Sequence, residues 1–285
     1  MVPRTSLLAG LAVFALASFR AGAEEVAPPA EPSASSAAIG LMGSIPLYWG
    51  EVAGIEDVLA GGTQPHWARA LIAEAGDPVP LDFLSAEALG HVDRLLLAQP
   101  RALSGEENVA LDQWVRGGGR LLMFADPLMT GESRFGIGDR RRPQGVALLS
   151  PILAHWGIEL QFDAAQPDGL AMRDFAGMAV PVAMAGQFVA LPEAEEACTI
   201  KAEGLVAQCA LGTGQALIIG DAAMLDNAAP YPGAEAGLRA LLQESFGLRA
   251  DFGDFAHADD SESQTSPANT RNISEISQGE QRQQE

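Results

Sequence analysis

Positive charge is scarce in this sequence, which has 17 Lys and Arg residues against 37 Asp and Glu and a formal net charge of −20. A protein with this negative charge is repelled by nucleic acids and by anionic membrane surfaces, so nucleic-acid binding is excluded as the main activity. Aromatic residues are also few, at 6% of the 285 positions. The hydrophobic content of 48% is nevertheless enough for a core in one or two domains.

The residue patterns of several enzyme classes are missing too. No Gly-x-Ser-x-Gly elbow indicates a serine hydrolase, and neither cysteine lies at the strand-to-helix elbow that an amidotransferase nucleophile occupies. The four histidines, His66, His91, His155 and His257, are scattered, and no Cys-x-x-Cys or paired helical histidines indicate a metal site. We therefore expect a protein that is not an enzyme and that holds no cofactor or metal.

The sequence has only two cysteines, Cys198 and Cys209. If Glu203-Gly204 is a two-residue hairpin turn, these two cysteines face each other across the hairpin. Opposed Cα atoms lie within disulfide range, so we predict a disulfide in an exported chain. Two free thiols are the alternative, and one residue of bulge would break the alignment.

A single long apolar run lies at the start of the chain, from Leu7 to Phe19, after the basic residue Arg4. It precedes the small-residue site Ala21-Gly22-Ala23, a pattern typical of a secretory signal over residues 1–23. The run is short for a transmembrane span, although an uncleaved anchor is the alternative. We expect a periplasmic protein, tethered to the inner membrane if the signal is uncleaved.

Composition divides the rest of the chain into three parts. Residues 24–38 are rich in Pro, Ala and Ser and read as a linker. Residues 256–285 have almost no apolar side chains and are expected to be disordered. Residues 39–255 alternate short apolar runs with helical stretches, which predicts one α/β domain.

The predicted fold is a doubly wound α/β domain with a mostly parallel sheet and a late antiparallel hairpin. Predicted strands cover 39–45, 78–83, 93–99, 120–126, 158–162, 182–186, the hairpin 198–211, and 215–221. Predicted helices cover 65–76, 104–116, 146–156 and 233–246. Ser104 and Glu107 form a capping box, and Gly117 to Gly119 follow the helix, so these glycines predict a helix stop rather than a phosphate loop.

Polar groups follow three of the predicted strands. They are Ser44 after the first strand, Asp126-Pro127 after the fourth, and Asp221 with Asp226-Asn227 after the last. Ligands of such sheets bind outside the carboxyl ends of the strands, so these groups are candidates for one binding crevice. The alternative is that each aspartate caps the turn or helix that follows it.

A basic loop follows directly from Asp126-Pro127. Residues 130–145, TGESRFGIGDRRRPQG, hold Arg134 and Arg140, Arg141 and Arg142 against two acids. Arginine binds carboxylates and phosphates by paired hydrogen bonds, so the last three arginines are candidate binding residues. Charge balance against neighbouring acidic helices is the alternative.

Four segments in order resemble a known family: IGLMGSIPL, DRLLLAQPRALSGEENVALDQWVRGGGRLLMFADPLM, LLSPILAHWGIELQFD and LGTGQALIIGDAAMLDN. Together they are similar to the soluble domain of the ABC-type transport auxiliary proteins, the GldG-like proteins of gliding-motility-type exporters, over residues 39–250. The resemblance implies a fold like that of flavodoxin and the class I glutamine amidotransferases. It also implies an extracytoplasmic, membrane-associated role beside an ABC permease, and it does not imply catalysis.

Two functions follow as hypotheses. The first is an exported, non-enzymatic auxiliary or binding domain that contacts an ABC permease or other envelope protein, or an anionic or carbohydrate-like ligand. The second is a periplasmic hydrolase or amidase with Asp126 and Asp221 as acid and base. Two close aspartates in a closed pocket, one with a raised pKa, favour the enzyme, and solvated turn caps favour the auxiliary domain.

Overall fold

The computed structural model describes residues 37–248 apart from residues 53, 55, 57, 58, 60–63, 176 and 193–197. The predicted signal, nearly all of the linker and the predicted tail lie outside the described residues. Within the described residues, no helix is both long and apolar enough to cross a membrane.

Eleven strands and five α-helices have their bounds within the described part of the chain. The strands are β1 (Ala38–Gly43), β2 (Asp77–Pro80), β3 (Arg94–Ala98), β4 (Arg120–Phe124), β5 (Ile158–Gln161), β6 (Leu170–Phe175), β7 (Met178–Ala183), β8 (Gln187–Ala190), β9 (Cys198–Lys201), β10 (Val206–Leu211) and β11 (Gly214–Ile219). The helices are α1 (Ala68–Ala75), α2 (Ala86–Leu89), α3 (Gly105–Arg116), α4 (Ser150–His155) and α5 (Ala234–Phe246).

Seven strands form the main sheet in the order β2-β1-β3-β4-β11-β10-β9. The pairs from β2 to β11 are parallel, and β10 runs antiparallel to both of its neighbours. The chain passes from β1 to β2 on one side and then to β3 on the other, so the topological switch lies between β1 and β3. The α/β class and the mostly parallel sheet with a late hairpin are confirmed.

Each face of the main sheet carries its own apolar layer. In β4, Leu122 and Phe124 pack in one layer with α1 and α5, while Leu121 and Met123 pack in the other with α3 and α4. This alternation follows from the two-residue period of a strand, and it explains why β4 is apolar at every buried position. The two layers therefore cover both faces of the central strands.

The helix before β4 begins and ends as its sequence predicts. The Ser104 hydroxyl accepts from the Glu107 backbone N–H, and the Glu107 carboxylate accepts from the Ser104 backbone N–H, which completes the capping box. Gly117 follows the last residue of α3, and Gly118 has a φ of 116° that favours glycine. The three glycines therefore stop a helix.

Cys198 and Cys209 form a disulfide between β9 and β10. They are opposite each other in the register, as the sequence predicts. The predicted two-residue turn is wrong, because residues 202–205 connect the strands. Ala202, Glu203 and Gly204 all have positive φ values of 51°, 54° and 95°. The turn lengthens by one residue on each side, so the opposed pairs stay the same.

Apart from the short helix α2, which was not predicted, the remaining differences lie after β4. The predicted strand 182–186 is instead β7, which ends at Ala183 because Met184 turns the chain with a φ of 55°. Strands β6 and β8 were not predicted. They build two separate antiparallel pairs, β6 with β7 and β5 with β8, outside the main sheet. β6 is exposed at five of its six positions, so it lacks the apolar pattern that marks a strand.

Candidate functional site

Four parallel strands end at the same edge of the main sheet with polar residues. Ser44 directly follows β1 and Gln99 directly follows β3, while Asp126 lies two residues after the end of β4 and Asp221 two residues after the end of β11. We call this the carboxyl edge. It includes the switch between β1 and β3, where ligands of this fold class bind.

The buried side chain of Gln99 connects backbone groups of neighbouring segments at the carboxyl edge. Its side-chain Nε2 donates to the backbone carbonyls of Asp126 and Gln144, at 2.9 Å each, and its Oε1 accepts from the Asp126 backbone N–H at 2.8 Å. The residue is 0% exposed and holds a φ of 48°, which is costly for a residue other than glycine. All of its side-chain hydrogen bonds serve to fix neighbouring backbone.

Ser44 anchors the basic loop at the carboxyl edge. Its hydroxyl donates to the Gln99 carbonyl at 2.6 Å and accepts from the Gln144 backbone N–H at 2.8 Å. Both hydrogen-bonding directions of the hydroxyl are therefore used within the protein. Ser44 anchors the end of the loop 130–145 rather than presenting a free hydroxyl.

Asp126 is buried and fully bonded to backbone. Its Oδ1 accepts from the Leu128 N–H at 2.7 Å, and its Oδ2 accepts from the Ala222 N–H at 3.0 Å. Burial raises the pKa of this carboxyl to about 6, although the two backbone N–H groups favour the charged form. Its neighbour Pro127 lies against Gly186. Asp126 thus ties the end of β4 to the turn after β11.

Asp221 makes the corresponding connection from β11. Its Oδ2 accepts from the Ala183 N–H at 2.9 Å and its Oδ1 accepts from the Ala223 N–H at 2.7 Å. Burial raises the pKa of Asp221 well above its ordinary value, and the charge of Asp126 raises it further. Both carboxylates therefore act as buried caps of the turns that follow their strands.

A cavity of about 190 Å³ opens beside these caps, and we call it the edge cavity. Its walls come from the turn after β1, the segment before α1, the basic loop after β4 and the turn after β11. The polar residues that line it are Glu51, Gln64, His66, Glu132, Asp226 and Asn227. Neither Asp126 nor Asp221 lines it.

Asp226 lies in the wall of the edge cavity with an unused acceptor. Its Oδ1 is buried and has no hydrogen-bond partner among the described residues. Burial raises the pKa of Asp226 to about 7, and the charge of Asp126 adds to the shift. A Cβ on Gly131 would lie 2.5 Å from the Asp226 Cγ, so glycine is needed for the loop to pass this close. The basic loop therefore packs directly on this carboxyl.

His66 lies in the same wall with an unused donor. It is 8% exposed, and its Nδ1 accepts from the Ala68 backbone N–H at 3.2 Å. Burial lowers the pKa of His66 to about 4, and the carbonyls of Leu225 and Asn227 only partly offset it. The ring is therefore neutral near pH 7; its Nε2 is buried near the Leu225 and Asn227 carbonyls but has no hydrogen bond of good geometry among the residues described.

The arginines of the basic loop hold the loop in shape. The Arg134 backbone N–H and guanidinium donate to the Glu51 carboxylate and carbonyl, and Arg142 donates to the Phe135 carbonyl at 2.8 Å. Arg141 pairs with Asp139 at 2.7 Å and lies over the Phe135 ring. Arg140 is exposed. The loop is thus a fixed surface feature.

The structure brings most of the sequence candidates to one edge but gives them different surroundings. Ser44, Asp126, Pro127 and Asp221 are used in backbone bonding and packing. Asn227 lines the edge cavity, where its carbonyl accepts from the Trp67 indole Nε1–H at 3.1 Å.

Sequence reasoning missed His66 and Gln99 as site residues. The position of Gln99 directly after β3 was a usable signal, because three other strands end in polar residues at the same edge. His66 had no such signal, since it precedes a helix whose own start is not marked by a side-chain cap. Only the folded chain places it opposite the turn after β11.

The comparison with protein families found one match. Residues 71–172 match the model of a family described as an ABC-type uncharacterized transport system. No curated protein matches the chain. The family resemblance inferred from sequence motifs is confirmed at this level, while the GldG-like assignment stays a prediction.

Solved structures resemble the chain only distantly. An exo-β-1,4-mannosidase from Opitutaceae bacterium strain TAV5 is 13% identical over 75% of this chain and 36% of its own, with a TM-score of 0.43. A β-galactosidase from Bacillus circulans is 14% identical over 60% and 24%, with a TM-score of 0.37. A putative ThuA-like protein from Bacteroides uniformis is 8% identical over 76% and 95%, with a TM-score of 0.40.

These likenesses carry no functional argument. The chain spans 36% or less of the length of either glycosidase, and all three TM-scores are low. The family relationship therefore rests on the matched segment alone: residues 71–172 resemble the ABC-type uncharacterized transport system family.

Proposed function

We propose that this protein is an exported, non-catalytic auxiliary component of an ABC-type transport system, GldG-like in kind, that contacts a permease or another envelope protein. The observation that carries the proposal is the family match over residues 71–172. The matched segment contains β3, α3, β4 and the basic loop, so it includes half of the carboxyl edge.

The basic loop supplies the contact surface. Its residue Ile137 is 97% exposed, and Val146 and Leu148, which follow the loop in sequence, are about half exposed. Arg140 adds an exposed positive charge to a chain whose net charge is −20. Exposed apolar groups mixed with arginine are typical of protein interfaces. Because Ser44, Glu51 and Gln99 already hold the loop in place, binding costs little ordering entropy.

A non-catalytic role fits the chemistry of the two central aspartates. Each oxygen of Asp126 and Asp221 already accepts a backbone N–H, and neither residue lines the edge cavity. The raised pKa values of both are the one observation that favours the alternative, a hydrolase or amidase. Burial as turn caps accounts for those values without a reaction.

A pull-down from membranes tests the proposal. The mature chain is expected to recover transporter subunits, and Arg140→Ser, Arg141→Ser and Arg142→Ser combined are expected to reduce recovery about tenfold. Arg116→Ser, Arg173→Ser and Arg239→Ser combined make the matched control, since they remove the same charge from exposed ion pairs elsewhere. Recovery of no transporter subunit by the unaltered chain would refute the proposed role.

Export is checked separately by the intact mass of the periplasmic fraction. A product that begins at Glu24 is expected, and a mass that includes residues 1–23 would favour a membrane tether instead.

A further inference from the structure

Strand β6 has a neighbouring strand on one side only. It pairs along its whole length with β7, and no other strand among the described residues joins it. The open side of such an edge strand carries a row of unpaired backbone N–H and C=O groups that another chain can bond. The register between β6 and β7 shows which residues of β6 supply these groups.

Alternate residues of β6 direct their backbone groups away from β7. Met172 lies opposite Pro181, which has no N–H, so the two residues are not a hydrogen-bonded pair. Leu170 lies opposite Ala183, whose N–H donates to a buried carboxylate instead. Because hydrogen-bonded and non-bonded pairs alternate in an antiparallel ladder, Leu170, Met172 and Asp174 all turn their N–H and C=O groups to the open side. No residue in the described part of the chain bonds these groups.

Two other strand edges are blunted by proline, whereas the open edge of β6 is not. Strand β2, at one side of the main sheet, has Pro78 and Pro80 within its four residues. Strand β7 has Pro181, which removes an N–H from the side away from β6. Proline at an edge prevents a further strand from pairing there. β6 holds no proline or lysine, and its pairing with β7 has no bulge over six residues, so its edge accepts a further strand.

The side chains of β6 define the chemistry of a strand that fits it. Leu170 and Met172 are 47% and 48% exposed, and they share one face of β6 with Asp174, which is also exposed. The Asp174 carboxylate accepts only a backbone N–H among the residues described. Arg173, by contrast, is already paired with Glu203. Cross-strand pairs of apolar residues and of opposite charges stabilise a sheet, so the matching strand has two apolar residues followed by a cation.

Charge decides between a second copy of this chain and a different protein. Each copy has a net charge of −20, so two copies repel each other. An antiparallel pairing of β6 with itself, centred on Met172, places Leu170 opposite Asp174 and leaves that carboxylate without a cation. A basic segment is attracted by the net charge and also supplies the missing cation.

We propose that β6 binds an extended, basic segment of another protein as an added strand, with apolar residues against Leu170 and Met172 and a lysine or arginine opposite Asp174. Main-chain hydrogen bonds supply the affinity, and the alternating side chains supply the selectivity. The arginines of the basic loop fit a partner surface of the opposite charge, so the two surfaces bind different partners. Failure of one proposal therefore leaves the other standing.

The test is a titration of the ¹⁵N-labelled mature chain with three synthetic heptapeptides, followed by its backbone amide signals. The basic peptide alternates threonine and valine between two terminal lysines, and the acidic peptide has glutamate in place of each lysine. The third peptide is the basic one with N-methyl groups on its lysine and valine nitrogens, which removes hydrogen bonds and keeps the charge.

The basic peptide is expected to shift the amide signals of Leu170, Met172 and Asp174 saturably. The amide signal of Val79, which lies between the two prolines of β2, is expected to stay in place. The acidic and the N-methylated peptides are each expected to bind at least about tenfold more weakly, because one is repelled and the other cannot pair as a strand.

Matched variants assign the binding to β6. Asp174→Lys is expected to weaken binding of the basic peptide about tenfold and to strengthen binding of the acidic one. Asp77→Lys is the control, because Asp77 is an exposed acid on the blunted strand β2, and it is expected to bind within about twofold of the unaltered chain. Met172→Pro removes the central N–H of the open edge and is expected to abolish binding. If this variant does not fold, the N-methylated peptide tests the same hydrogen bonds in the unaltered chain.

Four results would overturn the proposal. The first is a basic peptide that leaves the three amide signals of β6 unchanged. The second and third are an acidic peptide or an N-methylated peptide that binds as tightly as the basic one. The last is a shift of the same three signals with protein concentration alone, which would make a second copy the occupant.

Discussion

The carboxyl groups at the carboxyl edge make the stability of this protein depend on pH in an unusual direction. Asp126 and Asp226 have pKa values raised to about 6 and about 7 from 3.8, chiefly by burial. The folded chain thus binds these protons more tightly than the unfolded chain. Their stabilising contribution is full below about pH 4 and is lost as the pH rises through 6 to 7.

Asp226→Asn is expected to remove part of this dependence. The amide carries no charge at any pH, so at pH 8 the variant is expected to be more stable than the unaltered chain by about 1–2 kcal/mol, after allowance for solvent screening. Urea unfolding at pH 5 and pH 8 measures the difference. Asp168→Asn serves as the control and is expected to behave like the unaltered chain. Equal losses of stability between pH 5 and pH 8 in Asp226→Asn and in the unaltered chain would contradict the assignment.

The opposite case is Glu107 in the capping box. Burial alone would raise the pKa of this carboxyl, but hydrogen bonds from Arg101 and from the Ser104 and Leu84 backbone N–H groups lower it to about 2. Its contribution to stability is present above about pH 4.5 and is lost as the pH falls toward 2.

Arg101→Ala is expected to destabilise the fold by about 2–3 kcal/mol at pH 7, because it leaves the buried Glu107 carboxylate without its cation. The Glu107 side chain is 0% exposed, whereas the Asp112 partner of Arg116 is 16% exposed. Arg116→Ala is therefore the control, with an expected cost of about 0.5 kcal/mol or less. Chemical denaturation checks both, and equal costs would show that burial of the pair is not the deciding factor.

Single residues were predictable where a local pattern decides their role. Ser104 and Glu107 are recognised as a capping box because three residues separate them, but the burial of Glu107 depends on Arg101 and Leu84, which belong to separate segments. Asp126 was recognised by its place after a strand. Its bond to the Ala222 N–H joins residues 96 positions apart, and no local pattern contains that information.

Among the elements, the disulfide between β9 and β10 fixes the last strand at one side of the main sheet. Replacement of both cysteines by serine is expected to lower the free energy of unfolding by about 2–3 kcal/mol, because the 11-residue separation closes a short loop. Guanidinium unfolding with and without reductant measures this cost. The free energy of unfolding of the double variant is expected to be the same with and without reductant. If reductant also leaves the unaltered chain unchanged, the disulfide has no structural role.

The glycine stop after α3 offers a second test at this scale. Gly118→Ala is expected to cost about 1–2 kcal/mol, since alanine is strained at a φ of 116°. Gly105→Ala is the control, because nothing lies within 4 Å of its added Cβ and the residue begins a helix. Thermal unfolding compares the two, and similar midpoints would mean that the left-handed conformation is not required.

The elements were predictable in proportion to how strongly burial shapes their sequence. The strands β1, β3, β4 and β11 are buried on both faces and read as continuous apolar runs, so their positions were predicted. β6 and β8 are short or exposed and pair only with one neighbour, so their sequences carry little periodicity. The helix α2 has only four residues, which is too short for a helical pattern.

For the whole molecule, charge and shape point to the same working edge. The chain carries a net charge of −20, while the loop at the carboxyl edge concentrates Arg134 and Arg140 to Arg142 within nine residues. Buried caps hold the strand ends, and the loop and the edge cavity occupy the side of the sheet where the connections diverge. We therefore expect the proposed transport partner to contact this edge.

Site-specific photocrosslinking tests this account most directly. A photoreactive side chain at Ile137, which is 97% exposed on the basic loop, is compared with one at Leu170, which is 47% exposed on β6. In native membranes, the account predicts a crosslink from position 137 to an ABC-transporter subunit or its envelope partner, and none from position 170. A transporter crosslink from position 170 alone would contradict it.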